Sequence, residues 1–335
     1  MRRVSRFLLR ALAALVVLVL IVVGVRLING WRFGGESGAD PQDLASYELE
    51  QEGMSIEHLD GDYLSGFHLV PDEVGRDGAV VTFGGSDGGP DFERAVELAG
   101  EGYEVYALFF FGQDGQPSEL DRVPLEFFAE AAARIEEETV RPGPVTVIGS
   151  SKGAELALLL AAEHEMIDNV VAFAPAMHAF QSLAFGAEPT SSWTLDGEEV
   201  PYLSFQHASI SSTARMFSAM AFNYPIAYRS TYVSVVERAP AEEEAAARLD
   251  PAAVSGALLV FAGGDDEMWQ SDTAAQQIQE AAPEAEVHLY PEAGHAFLGE
   301  GHWGGLAMGG TAEANRAAAQ HSTAVLHERL ATWHG

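Results

Sequence analysis

The sequence predicts an α/β protein: a mostly parallel sheet with helices on both faces, preceded by an N-terminal transmembrane helix. Three observations predict it. Short apolar runs alternate along the chain with stretches of helical spacing, as strand–helix–strand units require. Several of those runs end in glycine turns, which let a buried strand break sharply into the next element. Apolar residues make up 47% of 335 residues, enough for one large core.

The first element stands apart from the rest. Positions 11–25 read ALAALVVLVLIVVGV between Arg10 and Arg26. Arginine stems snorkel, so the usable span stretches from Phe7 to Ile28, about the 20 residues a bilayer needs. Arg2, Arg3, Arg6 and Arg10 precede it, so the positive-inside bias leaves the N-terminus cytoplasmic and the remainder extracytoplasmic. The exit Val25-Arg26-Leu27-Ile28-Asn29 lacks the small-x-small pattern of a cleaved signal peptide. Residues 1–30 are therefore expected to be a single-pass anchor in the cell membrane. Residues 31–46, rich in Gly, Asp and Ser from Gly34 on, read as a linker.

Residues 47–335 are expected to form the folded domain. Tyr47–His58 and Tyr63–Leu69 alternate as an antiparallel start would. Ala79–Phe83 is a strand running into the loop Gly84–Gly89. A helix follows at Phe92–Gly100, a strand at Tyr103–Phe110, and a helix from Leu125 to Glu138. Pro144–Ile148 is the next strand and Ala154–Glu163 the next helix. Val170–Ala174, Ala257–Ala262 and Glu286–Tyr290 are further strands, and Thr311–Trp333 is a closing amphipathic helix. Between 177 and 250 the pattern breaks into aromatic, Gly/Pro- and Ser-rich pieces and an acidic tract, Ala241–Arg248. That stretch reads as a lid-like insertion over the sheet.

Composition excludes several functions. Without cysteine there is no disulfide framework, thiolate metal site or cysteine nucleophile. Fifty acidic residues against 18 basic ones give a formal charge of −32, the wrong sign for a nucleic-acid partner. No metal-ligand cluster or cofactor motif is visible, so no cofactor and no metal are expected.

The chemistry lies at the C-terminal ends of predicted strands. Gly149-Ser150-Ser151-Lys152-Gly153 is a G-x-S-x-G match between a strand and a helix, the setting of a nucleophile elbow. Only Ser151 is centred between the glycines, so it is the nucleophile. The Lys152 backbone N–H should face the developing oxyanion. A second donor is expected from the Gly84–Gly89 loop, at Gly85 or Ser86, where small residues leave the amide uncovered. Leu258-Leu259-Val260-Phe261-Ala262-Gly263-Gly264-Asp265-Asp266 is a strand ending in an Asp pair, of which Asp266 is taken as the triad acid. His295 follows the last strand. Ser, Asp, His is the chain order of α/β-hydrolases. His288, inside a strand, and His302, in a Gly-rich stretch, are weaker candidates. The aromatics Phe180, Phe185, Trp193, Tyr202, Phe205, Phe217 and Phe222 of the insertion either line an acyl pocket or pack the insertion onto the sheet.

From Gly84 to Leu330 the chain resembles the C-terminal hydrolase domain shared by acyl-CoA thioesterases and bile acid-CoA:amino acid N-acyltransferase. The residues that carry the resemblance are Gly88-Gly89 with Glu93-Arg94-Ala95, Gly102-Tyr103-Glu104-Val105, Pro124-Leu125-Glu126-Phe127-Phe128, and above all Ile148-Gly149-Ser150-Ser151-Lys152-Gly153-Ala154-Glu155. Lysine in the elbow is typical of this group, and Lys152 is the sole lysine here. Asp265-Asp266-Glu267-Met268-Trp269-Gln270-Ser271, Tyr290-Pro291-Glu292-Ala293-Gly294-His295 and Gly309-Gly310-Thr311-Ala312-Glu313-Ala314-Asn315 extend it. The resemblance implies an α/β-hydrolase fold, with Ser151 as nucleophile, Asp266 as acid and His295 as base. It also implies a small-molecule acyl ester or thioester as partner, such as an acyl-CoA.

Three departures accompany it. Animal members carry an N-terminal sandwich domain, for which only Leu44–Asp77 could stand in. The acyltransferase uses a cysteine nucleophile, so serine favours hydrolysis over transfer to an amine or hydroxyl acceptor. Coenzyme A is polyanionic, and the field of this acidic chain opposes its approach. A non-catalytic binding module on the same scaffold is the remaining alternative.

An acidic, lysine-poor composition fits a surface adapted to high salt, where self-repulsion is screened. The melting temperature is expected to rise from low to molar salt; a flat Tm by calorimetry would remove that explanation.

Overall fold

The computed structural model describes residues 2–34, 39–184, 186 and 188–335. Eight strands form one sheet: β1 (Met54–Asp60), β2 (Ser65–Pro71), β3 (Ala79–Phe83), β4 (Glu104–Phe109), β5 (Val145–Ser150), β6 (Asn169–Phe173), β7 (Leu258–Gly263) and β8 (Glu286–Tyr290). Their order is β1-β2-β4-β3-β5-β6-β7-β8. Only the β1–β2 and β2–β4 pairings are antiparallel; the rest are parallel. Every residue of β3, β4, β6 and β7 is buried, as central strands covered on both faces must be, and their sequences accordingly read as near-continuous apolar runs.

Helices cover both faces. On one, α2 (Phe92–Gly100) and α9 (Ala312–His334) lay Phe92, Leu98, Leu326 and Leu330 against the strands. On the other, α3 (Phe128–Glu138), α4 (Lys152–Glu163) and α8 (Ser271–Ala281) contribute Ile135, Leu156, Leu160 and Ile278. This is the mostly parallel α/β sheet that the alternation of elements predicts, in the α/β-hydrolase form that the family resemblance implies. Helix α8 escapes the sequence reading because it buries little apolar bulk: Ser271, Ala274, Ala275 and Ile278. The expected helix from Leu125 begins as a 3-10 turn, Leu125–Phe127, and becomes α-helical at Phe128. The first strand starts at Met54 rather than Tyr47, after a turn in which Gly53 has φ 82°.

Residues 40–46, the end of the segment read as linker, lie against the domain with Tyr47. Tyr47 sets its ring 5.0 Å from those of Phe67 and Phe92, and its hydroxyl donates to the Pro41 carbonyl. The Gln42 amide donates to Asp87 O at 3.2 Å. The insertion contains α5 (Ile210–Phe222), α6 (Arg229–Arg238) and α7 (Ala241–Ala246). Phe180, Leu203, Tyr232 and Val235 form a small core of its own against Trp269. Helix α1 (Arg2–Phe33) holds a 22-residue stretch, Leu12–Phe33, long and apolar enough to cross a membrane. At 1.5 Å per residue it reaches about 33 Å.

The end of α9 is fastened to the entry of β3. His334 donates from Nδ1 to Asp77 O at 2.6 Å and accepts at Nε2 from Thr146 Oγ1 at 2.8 Å. Both ring nitrogens are therefore engaged by the neutral form, and burial lowers the histidine pKa. Below the ordinary value of about 6.5 the unfolded chain binds a proton that the folded chain excludes. Stability from this group is thus complete above that pH and declines as pH falls toward the depressed native value. Urea unfolding at about pH 8 and pH 5 is expected to show a smaller acid loss in His334→Gln than in the parent.

Candidate active site

The elbow is set by contacts that leave no room for side chains. A Cβ on Gly149 would lie 2.0 Å from Gly153 O, and one on Gly153 would lie 2.0 Å from Gly84 O. Glycine is required at both because backbone meets backbone there. Ser151, between them, holds φ 56° and ψ −116°, a conformation costly for any residue with a Cβ. Its N–H donates to Phe173 O at 2.8 Å, and its carbonyl accepts from Ala154 and Glu155 at the start of α4.

Two backbone donors flank the serine. The Lys152 N–H, at the first position of α4, makes no hydrogen bond among the described residues, while the Gly85 N–H faces the Asp87 carboxylate within its own loop. Gly85 lies beside the nucleophile candidate: a Cβ there would be 3.5 Å from Ser151 Cβ. Ser86 is exposed at the outer side of the same loop.

Asp266 and His295 are joined across the ends of β7 and β8. His295 Nδ1 meets Asp266 Oδ2 at 2.8 Å, with the two residues 3% and 1% exposed. Ser271 Oγ donates to Oδ2 at 2.6 Å, while the Met268 and Trp269 N–H groups donate to Oδ1 at 2.8 and 3.1 Å. These bonds aim the carboxylate at the imidazole. Asp265, by contrast, is exposed and accepts only from Gly310 N. The Trp269 ring stands edge-on to His295 at 5.7 Å and donates from Nε1 to Ala174 O. Among the described residues no hydrogen bond joins the Ser151 hydroxyl to His295. In ligand-free hydrolytic sites this contact is commonly loose and tightens around bound substrate.

The sequence reading missed several supporting residues. Ser271 and Trp269 sit in the quoted acidic stretch, but nothing in their spacing marks them as partners of Asp266. Buried Asn315 accepts from Gly294 N at 2.7 Å and donates to Leu298, Gly299 and Gly309 carbonyls, tying together the loop that carries His295. The weaker histidines lie elsewhere: His288 pairs with Glu286 and stacks on Phe261, and His302 stands edge-on to Phe33.

Lys152 does more than supply an amide. Its fully buried ammonium donates to both Glu155 oxygens, at 3.1 and 2.9 Å, and to Ser192 Oγ at 3.1 Å. Glu155 Oε1 in turn accepts from Trp193 Nε1 at 2.6 Å. Burial pushes the lysine pKa down and Glu155 pulls it back up. The pair therefore clamps the elbow helix to the insertion.

A cavity of about 900 Å³ opens beside the elbow, lined by Gly85, Ser150, Phe173 and Phe297 among others. None of the described insertion aromatics lines it. Phe180 and Trp193 are consumed by packing, Tyr202 and Phe205 are half-buried, and Phe217 and Phe222 face outward. Phe185 lies outside the described residues. The packing alternative thus holds for Phe180 and Trp193, while Phe217 and Phe222 neither pack onto the sheet nor line the cavity.

A family model described as BAAT / Acyl-CoA thioester hydrolase C terminal matches residues 123–298, over half the chain. The chain belongs to this family. Acyl-coenzyme A thioesterase 6 of Mus musculus is 38% identical over 105 residues, 31% of this chain and 25% of the relative. Acyl-coenzyme A amino acid N-acyltransferase 1 of Mus musculus is 25% identical over 251 residues, 72% of this chain and 54% of the relative. The chain thus spans between a quarter and about half the length of these family members. An esterase of Pyrococcus furiosus, 16% identical, superposes with a TM-score of 0.50 over 88% of this chain and 94% of its own, which shows the shared fold.

The buried ion pair yields a prediction. Lys152→Met would strand the Glu155 carboxylate and is expected to cost about 3–5 kcal/mol. Lys152→Met with Glu155→Gln, which keeps an acceptor for Trp193, is expected to recover more than half of that loss. Chemical denaturation of both variants measures it.

Proposed function

We propose that this protein is a membrane-tethered serine hydrolase that cleaves acyl esters or thioesters through Ser151, His295 and Asp266. The observation that carries the reading is the pairing of a strained, glycine-flanked serine with a buried carboxylate–imidazole pair on neighbouring strand ends. The Lys152 N–H, unengaged among the described residues, and the Gly85 backbone set against that serine support the same chemistry.

In this reading Ser151 Oγ attacks the acyl carbonyl while His295 Nε2 takes its proton. The Nδ1–H bond to Asp266 fixes the tautomer and stabilises the imidazolium. The tetrahedral oxyanion accepts from the Lys152 and Gly85 amides, each donor worth about 10²–10³ in rate. Collapse expels the alkoxide or thiolate, which receives the proton from His295. Water, deprotonated by the same imidazole, then attacks the acyl-enzyme and releases the carboxylic acid. Helix α1 would hold the domain at the membrane, with the arginine-rich N-terminus on the cytoplasmic side and the catalytic domain outside.

Likeness to an N-acyltransferase keeps a second acceptor in view. Product analysis with and without an added amine separates transfer from hydrolysis. The decisive experiment is Ser151→Ala: turnover of a p-nitrophenyl acyl ester is expected to fall by about 10⁴–10⁶-fold with an unchanged circular dichroism spectrum. A fluorophosphonate probe should label the parent and not the variant. Retained turnover in the variant would overturn the mechanism.

A further inference from the structure

Helix α5 has a surface that an acidic soluble face would not carry. Residues 200–236 contain no Asp or Glu, in a chain where 50 of 335 residues are acidic. Within α5 only Ser212 is buried. Ile210 is 89% exposed and Phe217 59%, and Met220, Phe222 and the following Tyr224 are exposed as well. Contiguous apolar side chains facing outward mark an interaction surface.

The position of α5 says what covers it. Its last carbonyls, left without partners by the end of the helix, are taken up by α1. Arg26 donates to Met220 O at 3.2 Å and Ala221 O at 2.7 Å, and Asn29 donates to Phe222 O at 2.8 Å. Phe33 completes the junction, edge-on to Tyr224 at 5.0 Å. These α1 residues lie at the end of Leu12–Phe33, the stretch apolar enough to cross a bilayer. A helix fastened there sits where α1 leaves the hydrocarbon, at the depth that interfacial helices occupy.

The cavity beside the elbow faces the same junction. Trp303 and Leu298 line it and are both exposed, and His302, next to Trp303, touches Phe33 at 5.3 Å. Pro41 and Tyr47, on the segment that follows α1, form another wall. The lining carries Glu48, Asp87, Asp91 and Glu93 against one cation, Arg94, which is already paired to Asp91 at 2.7 Å. A polyphosphorylated leaving group such as coenzyme A meets like charge there, whereas an uncharged lipid does not.

We propose that α5 and Trp303 seat the domain on the lipid surface, so that the cavity beside Ser151 opens to the bilayer and the substrate is an uncharged, membrane-dissolved acyl ester. The proposal rests on the hydrolase reading above and names its substrate class.

The absence of cysteine allows single-site labels in the full-length protein. Phe217→Cys and Met220→Cys, each carrying an environment-sensitive fluorophore, are reconstituted in phosphatidylcholine vesicles containing nitroxide-labelled lipid. Fluorescence is expected to fall by about half or more, as burial in the headgroup–acyl boundary requires, while the same label at Glu284→Cys stays bright. Unquenched labels at 217 and 220 overturn the seating. Contact between labels on two copies, in place of lipid quenching, overturns it in favour of a dimer.

The second arm reads activity. The parent in these vesicles is expected to hydrolyse a diacylglycerol about 10-fold or more faster than palmitoyl-CoA. Phe217→Glu with Met220→Glu is expected to lower diacylglycerol turnover by about 10-fold and to leave hydrolysis of soluble p-nitrophenyl acetate unchanged. Equal rates on palmitoyl-CoA and diacylglycerol overturn the substrate class. A parent that quenches normally yet hydrolyses neither lipid nor soluble ester fails at the hydrolase reading instead, so the two failures are distinct.

Discussion

Three backbone segments meet at the elbow more closely than side chains allow, and the rest of the site depends on that approach. The end of β5, the loop after β3 and the first turn of α4 are within reach of one another only because Gly149 and Gly153 lack Cβ atoms. That approach forces Ser151 into its strained conformation and presents its hydroxyl at the sheet rim. It also brings Gly85 against the serine, so one packing event sets both residues. Strain of this kind persists only where its surroundings over-determine it.

Part of that determination comes from the Lys152–Glu155 pair. Two buried charges are rarely a net gain over well-packed apolar groups, because desolvation offsets their attraction. Here the pair donates to Ser192 through the ammonium and accepts from Trp193 through the carboxylate, both on the insertion, and the ammonium lies near the Phe180 and Trp193 rings. Its contribution is register: the first turn of α4 cannot rotate without breaking contacts to a separate segment. On the other side, Asn315 and Ser271 do the corresponding work for the loops that carry His295 and Asp266.

The central strands were legible because buried parallel strands are nearly uninterrupted apolar runs; Ala79–Phe83 appears in the structure with the bounds that the pattern indicates, and so does the half-exposed edge strand Glu286–Tyr290. Helix α8 was not, since alanine and serine suffice to pack it and leave no apolar stripe to read. The pairing of Asp266 rather than Asp265 with an imidazole followed from motif context, and its 2.8 Å geometry agrees. Partners that act across long sequence separations, such as Ser192 with Lys152 or Asn315 with Gly294, carry no local signature. The insertion aromatics left both alternatives open because burial and pocket lining draw on the same residue types, and only three-dimensional placement tells them apart.

The stretch between Asp40 and Tyr47 changes what the leash is. Gln42 bonds to the Asp87 carbonyl, Pro41 rests on Gly89, and Gln113 clasps the Gln42 carbonyl at 2.9 Å. The strap leaving α1 is thus masonry in the wall of the cavity beside the elbow, and tension along it bears directly on the glycine loop behind Ser151. A fragment trimmed past Tyr47 would lose part of that wall along with α1; one that begins just before Ala39 keeps the wall whole.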